Sequence, residues 1–266
     1  MLQTIAKLPF LKRPISSIGI RLLKLLNKNR GYFKIQNIKM FLDFLDPIDR
    51  EIILNQEYDK KEISILKKLI QLYYINNFID IGANCGIYSF MLSSNFKDLN
   101  TLAFEPNKEA FLKFNKTLDA NLNLSKRIQI FNFGLFDKKA KLQMRSLVKH
   151  RYIQTGGSTV HDFKNYNNTT IYEADFELGD NVIDVINSNI AIKIDVEGHE
   201  YKVLLGLKKL LNNNNCILQI EIWDNNYKDV NSHLTENNFV KIAEVKSKYN
   251  YFYSNIKKPT KLLFQD

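Results

Sequence analysis

Apolar positions along this chain recur with two periods, and each change of period marks an element. Phe78-Ile79-Asp80-Ile81 is a short apolar run of the kind that ends a buried strand. TLAFEPN (101–107), IQIFNFGLFD (128–137), IAIKID (190–195) and CILQIEIW (216–223) repeat that pattern. Stretches with helical period lie between them. Ile63, Leu66, Leu69 and Ile70 form a stripe before the first strand, and residues 87–94 and 107–122 follow the first and second, the latter capped by Asn107. Val203, Leu204, Leu207, Leu210 and Leu211 share one face after the fourth. Strands that alternate with helices predict an α/β fold with a parallel sheet. FVKIAEVKSK (239–248) and YNYFYSN (249–255) alternate with period two and predict a closing antiparallel hairpin. KAKLQMRSL (139–147) reads as an extra edge strand. Between Val148 and Gly179 the pattern loosens, which predicts an irregular binding loop on the acceptor side, around QTGGSTV (154–160).

Two stretches precede the first strand. Ile15, Ile18, Leu22, Leu25 and Leu26 make one stripe behind Pro14, a helix start. Met40, Phe41, Phe44 and Leu45 form an apolar cluster, read as part of a helical lead-in. No Pro/Gly/Ser linker follows, so the expected organisation is an N-terminal arm, 1–39, and one domain, 40–266, with its lead-in at 40–75.

Charge sharpens that division. The chain has 266 residues and a net charge of +10. Of its 38 basic residues, nine lie within residues 1–42 beside no acidic one, which leaves 29 basic against 28 acidic for the rest. The body is nearly neutral, which counts against a nucleic-acid partner. The N-terminal helix has two readings: a stripe packed on the domain, which base rates favour, or leucines in a lipid interface with Arg21, Lys24 and Lys28 at anionic headgroups. Peripheral membrane contact through residues 14–30 therefore stays open. Two cysteines, Cys85 and Cys216, give neither a disulfide framework nor metal spacing, and the expected compartment is the cytoplasm. No metal is expected; a divalent ion on the carboxylates would lack any supporting histidine or cysteine cluster.

The candidate chemistry gathers at strand ends. FIDIGANCGIYSF (78–90) is strand, glycine turn, helix, with the spacing D-x-G-x-N-x-G. Asp80 puts a carboxylate where a pyrophosphate would be repelled, so the turn suits a cation such as S-adenosylmethionine. Glu105 ends the second strand at the spacing expected of a carboxylate that accepts two ribose hydroxyls. Asn132 and Asp137, near the third strand's end, could meet an adenine amino group or close a turn. Asp195, Glu197 and Glu200 follow the fourth strand, on the same sheet edge as Asp80 and Glu105. Glu197 and Glu200 also suit a helix N-terminus electrostatically.

These motifs give the sequence its resemblance to the FkbM family of S-adenosylmethionine-dependent methyltransferases. It rests on FIDIGANCGIYSF, LAFEPN (102–107), IKIDVEGHEYKVLLG (192–206) and QIEIW (219–223), and covers roughly residues 40–255. NVIDVI (181–186) departs from the family's usual run there but keeps Asp184. The resemblance implies a Rossmann-like class I methyltransferase: a seven-stranded, mostly parallel sheet with a C-terminal antiparallel hairpin and helices on both faces. It implies S-adenosylmethionine as cofactor and O-methylation of a sugar, glycolipid or secondary metabolite. The cofactor positions would be Asp80, Gly82, Ala83, Asn84, Gly86, Glu105, Pro106 and Asn107, with Asn132 and Asp137 added from the strand-end reading. Asp195 and then Glu197 are the choices for orienting or deprotonating the acceptor. Two alternatives stand beside this: a protein or RNA acceptor, or a non-catalytic binding protein on the same fold.

Overall fold

The computed structural model describes residues 29–149, 152–160 and 168–257. The expected N-terminal helix after Pro14, and His150 and His161, lie outside the described residues. The described chain begins with an antiparallel hairpin, β1 (Arg30–Ile35) and β2 (Ile38–Asp43). The helical lead-in expected here is a strand instead. Ile38, Met40 and Leu42 are buried while Lys39 is exposed, a period of two that the neighbouring Phe41 obscures. The hairpin straddles the expected boundary at residues 39 and 40. Helix α1 (Pro47–Asn55) follows, with Pro47 in its first turn and the Asp46 carboxylate accepting from the Ile48 amide. Helix α2 (Lys60–Leu72) buries the expected stripe of Ile63, Leu66, Leu69 and Ile70.

The central sheet then builds up in strand–helix units. β3 (Asn77–Ile81) leads to α3 (Ile87–Asn95), β4 (Asn100–Phe104) to α4 (Lys108–Asp119) and the short α5 (Leu122–Ser125), and β5 (Ile128–Phe131) closes one edge. The chain next leaves this sheet for β6 (Gly134–Phe136), β7 (Ala140–Lys149), β8 (Tyr152–Ile153) and β9 (Thr169–Leu178), and returns through α6 (Gly179–Val182). β10 (Asn189–Ile194), α7 (Glu200–Gly206), α8 (Lys208–Asn212), β11 (Asn215–Glu221), α9 (Asp224–Glu236), β12 (Val240–Val245) and β13 (Asn250–Ser254) complete the order.

The seven-stranded sheet runs β12-β13-β11-β10-β3-β4-β5. The last five strands in that order run parallel in four pairs, while β13 pairs antiparallel with both β11 and β12. Each face carries its own core. One holds Phe78, Phe90 and Phe114 with α1–α4 and the hairpin; the other holds Ile79, Ile192 and Leu204 with α7–α9. β10 and β3 are therefore largely apolar, as strands covered on both sides are, apart from Lys193 and Asp80, which are register partners.

Two further expectations change. The segment 128–137 is two strands, and the second belongs to a separate sheet of order β6-β9-β7-β8. The region expected to be irregular up to Gly179 contains the ten-residue β9, on which Ala174 and Phe176 turn inward and Glu173 and Asp175 outward. The helix expected through Leu211 is two helices that meet at Leu207.

Beneath the sheet edge, Lys113 is buried with Asp49 at 2.7 Å and Asp46 at 3.3 Å. Burial raises Asp49 to about 6 against the opposing pull of Lys113. Lys113→Met would strand two buried carboxylates. It is expected to cost about 3–5 kcal/mol in urea denaturation, and a loss below about 1 kcal/mol would contradict this.

Candidate active site

Parallel strands bring their carboxyl ends to one edge, and there β3, β4, β10 and β11 deliver Gly82, Glu105, Asp195 and Glu221 to one cavity. Gly82 has φ +77°, and a Cβ on it would lie 1.9 Å from the Asp195 carbonyl oxygen. The glycine is required because the ends of β3 and β10 abut. Gly86, at φ +83°, is held similarly: a Cβ would lie 2.4 Å from the Phe114 ring. The turn's amides face the protein rather than a ligand. Gly82 and Ala83 N–H donate to the Phe104 carbonyl at 3.0 and 3.1 Å. Asn84 N–H donates to Glu105 Oε2 at 2.7 Å.

Glu105 is almost fully buried, and its Oε1 accepts from the Asn107 amide at 2.8 Å. Burial, the largest cause, pushes its carboxyl up to about 7. Asp80 lies beneath the cavity, where its Oδ2 accepts from Ser89 Oγ at 2.6 Å and its Oδ1 has no hydrogen-bond partner among the described residues. Pro106 lines the cavity, whereas Asn107 caps α4 and donates to Tyr172 and Ser158. Asn132 and Asp137 stand apart from the lining. Asn132 Nδ2 donates to the Glu105 carbonyl at 2.9 Å, and Asp137 accepts from Lys202 at 2.8 Å.

On β10, Lys193 is buried and donates to Asp195 Oδ2 at 3.0 Å. Burial pulls Lys193 down, but Asp195 and Asp80 outweigh it and hold the ammonium above its ordinary range. Glu197 takes a left-handed φ of 54° before Gly198 at 102°. Such strain costs about 1–3 kcal/mol in a non-glycine residue and collects at functional sites. Burial and then Asp195 push the Glu197 carboxyl up to about 7. Glu200 is buried away from the lining and accepts from the Gly198 amide at 2.9 Å, as an acidic residue at a helix start does.

Glu221, near the end of CILQIEIW, is not among the candidate site residues read from the sequence, although it ends its strand as Glu105 and Asp195 follow theirs. Burial and then Asp195 raise it to about 8, and Trp223 Nε1 donates to it at 3.3 Å. The roof is residues 155–160. Gly157 N–H donates to Glu197 Oε1 at 2.9 Å, Thr159 Oγ1 to the Glu197 carbonyl at 2.9 Å, and Thr155 Oγ1 to Asp46 at 2.7 Å. His199 also lines the cavity, edge-on to Phe136. The lining therefore holds, among the described residues, four carboxylates (Glu105, Asp195, Glu197 and Glu221) and no lysine or arginine. Among the described residues no His/Cys/Asp/Glu group is placed to hold a metal, and no helix is long and apolar enough to cross a membrane.

A five-plus-two sheet with a carboxylate-lined cavity at its carboxyl edge defines a Rossmann-like methyltransferase fold, and comparison with known proteins agrees. The chain belongs to the FkbM methyltransferase family: the model of the methyltransferase FkbM domain matches residues 80–253. Among solved structures, methyltransferase FkbM from Methylobacillus flagellatus is similar at 16% identity and TM-score 0.50, over 68% of this chain and 43% of that one. The chain thus spans less than half the length of that relative. A human methyltransferase 10 domain containing protein (11% identity, TM-score 0.48, 90% and 94% covered) and a methyltransferase from Geobacter sulfurreducens (12%, 0.46, 91% and 88%) follow. No curated protein matches the chain in sequence.

Proposed function

We propose that this chain is an S-adenosylmethionine-dependent O-methyltransferase whose acceptor is a hydroxyl of a small molecule or glycan. The observation that carries this reading is the lining: among the described residues, four carboxylates facing a cavity without a lysine or arginine suit a cationic nucleoside and repel a phosphorylated one. Glu105 fits the ribose position, because each of its oxygens accepts one amide and keeps a second lone pair. Gly82, Asn84 and Pro106 complete that side, and Asp80 supplies negative charge from beneath. When bound, the cofactor supplies a methyl carbon already activated by its positive sulfur.

Asp195 would hold the acceptor hydroxyl and take its proton as that oxygen is methylated, the bound sulfonium supplying the methyl group and leaving with the carbon–sulfur electron pair. Lys193 fixes Asp195 Oδ2 and leaves Oδ1 for the acceptor. Glu197 and the roof exclude water and orient the reactants, which is the main demand of a displacement on an activated methyl group.

Burial sets the pH dependence. Glu105, Glu197 and Glu221 titrate at about 7, 7 and 8, so below those values each is largely protonated in the free protein and attracts a cation weakly. S-adenosylmethionine binding is expected to tighten by about tenfold or more from about pH 6 to about pH 8.5, releasing protons as it binds. Calorimetry in buffers of different ionisation enthalpy measures both, and an affinity flat across that window would contradict the reading. Transfer of labelled methyl groups from S-adenosylmethionine to a panel of sugars and glycolipids tests the acceptor class. Transfer to protein or RNA alone would overturn it.

A further inference from the structure

The cavity is completed from outside the region that the family match covers. That match begins at Asp80, yet Ile48 of α1 and Tyr58 line the cavity beside the strand ends. Tyr58 lies in the short connection between α1 and α2 and is half-buried. The backbone that carries its ring is fixed on both sides. Gln56 and Asp59 take left-handed φ angles of 59° and 42°, and such strain persists only where neighbours enforce it. Here they do. Gln56 Nε2 donates to the Ile53 carbonyl at 3.0 Å, Tyr88 donates its hydroxyl to Asp59 Oδ2 at 3.1 Å, and Lys248 lies 3.6 Å from Asp59 Oδ1.

Along the sheet edge, the strand order β4-β3-β10-β11 sets Glu105, Gly82, Asp195 and Glu221 in a row. Burial, then the charges of Asp59, Asp195, Glu51 and Glu221, push the Tyr58 phenol above its ordinary range. Asp195 and Glu221 are the far end of that row, so Tyr58 stands within electrostatic reach of the β10–β11 side of the cavity. In the function proposed above, Glu105 takes the ribose and Asp195 the acceptor's proton, and the positive sulfur belongs between them. A cation there already has carboxylates at the strand ends. An aromatic ring adds attraction of another kind, from the negative charge of its face, which no proton cancels. The carboxylates lack that constancy, since Glu197 and Glu221 titrate at about 7 and 8. The Tyr58 phenol stays neutral across the same range, and its ring is unchanged by pH.

We infer that Tyr58 is a cofactor-binding residue: its ring recognises the positive sulfur of S-adenosylmethionine and so separates the cofactor from its uncharged product, S-adenosylhomocysteine. The inference rests on the methyltransferase reading of the cavity. A ring that served only as an apolar wall would hold both molecules equally, and that difference makes the role measurable without any acceptor. The probes are S-adenosylmethionine, S-adenosylhomocysteine and sinefungin, which carries an amine in place of the methyl-bearing sulfur, each titrated calorimetrically into the full chain. Tyr58→Leu is expected to weaken S-adenosylmethionine and sinefungin by about fivefold or more, and S-adenosylhomocysteine by less than about twofold. Retained affinity for S-adenosylhomocysteine also shows that the variant's cavity is folded, and Tyr58→Met repeats the test if leucine lowers the melting temperature. Tyr58→Phe keeps the ring and should keep the wild-type preference. Equal weakening of all three ligands would overturn the inference, as would unchanged affinities in Tyr58→Leu. A Tyr58→Phe variant that loses as much as Tyr58→Leu would move the role to the hydroxyl and overturn it as well. Wild-type protein that binds none of the three would instead end the cofactor reading on which the inference stands.

Discussion

Asp195→Asn is expected to lower the rate of methyl transfer by about 10²–10⁴-fold while S-adenosylmethionine affinity stays within about threefold. The substitution is isosteric and keeps an oxygen for the Lys193 ammonium, now 3.0 Å from Asp195 Oδ2. What it removes is the capacity to take a proton. Lys193 also keeps Asp80 beside it, its partner in the β3–β10 register, so the buried ammonium is not stranded. Single-turnover measurements separate the chemical step from binding. A variant that binds normally and transfers slowly places Asp195 on the acceptor. One that loses cofactor binding would move Asp195 to the cofactor side, and one that transfers at the wild-type rate would leave it structural.

Gly82→Ala is expected to be the most damaging small substitution in the chain, because it acts on the junction that forms the site. The added carbon would lie 1.9 Å from a backbone oxygen, that of Asp195, and the backbone sits at φ +77°. Backbone cannot swing aside as a flexible side chain can. The ends of β3 and β10 must separate, breaking the bond from the Asp195 amide to the Ile81 carbonyl at 3.1 Å. Strain and overpacking together should cost about 2–5 kcal/mol. Gly157→Ala is the control: its φ is +71°, yet a Cβ there meets nothing within 4 Å. It should cost about 1 kcal/mol. Urea unfolding of the two variants compares them directly, and similar losses would mean that the contact between the strand ends does not matter.

The parallel core was legible because its strands are covered on both faces and so are mostly apolar, with single buried polar residues (Asp80, Lys193 and Gln219) that do not hide the pattern. The same logic located Glu105 and Asp195, since a charged residue that ends an apolar run must stand at the carboxyl edge, whereas Asp80 was marked by the spacing of the glycine turn and is buried one residue inside the end of β3. That logic located Glu221 less visibly, because Ile222 and Trp223 prolong the apolar run beyond it. What failed were elements whose pattern is set by tertiary partners. β2 alternates correctly, but Phe41 on its outer face rests against Tyr32 of β1 and under Lys116 of α4, and in sequence that aromatic simulates a helical cluster. β9 carries Thr, Glu and Asp because its outer face is wet, so it looked like a loop. Asn132 and Asp137 sit where a ligand-binding side chain could stand. Whether such a residue turns to a ligand, to a backbone carbonyl or to Lys202 depends on neighbours that sequence spacing does not specify. Tyr58, in a connection without a motif, was invisible for the same reason.

The most direct measurement is a calorimetric titration of the purified chain with S-adenosylmethionine, NAD and ATP in turn at about pH 8. One S-adenosylmethionine per chain in the micromolar range, with no saturable heat from either phosphorylated nucleotide, is the result expected from a lining that, among the described residues, holds four carboxylates and no lysine or arginine. Saturable NAD or ATP binding by a folded protein that ignores S-adenosylmethionine would contradict it.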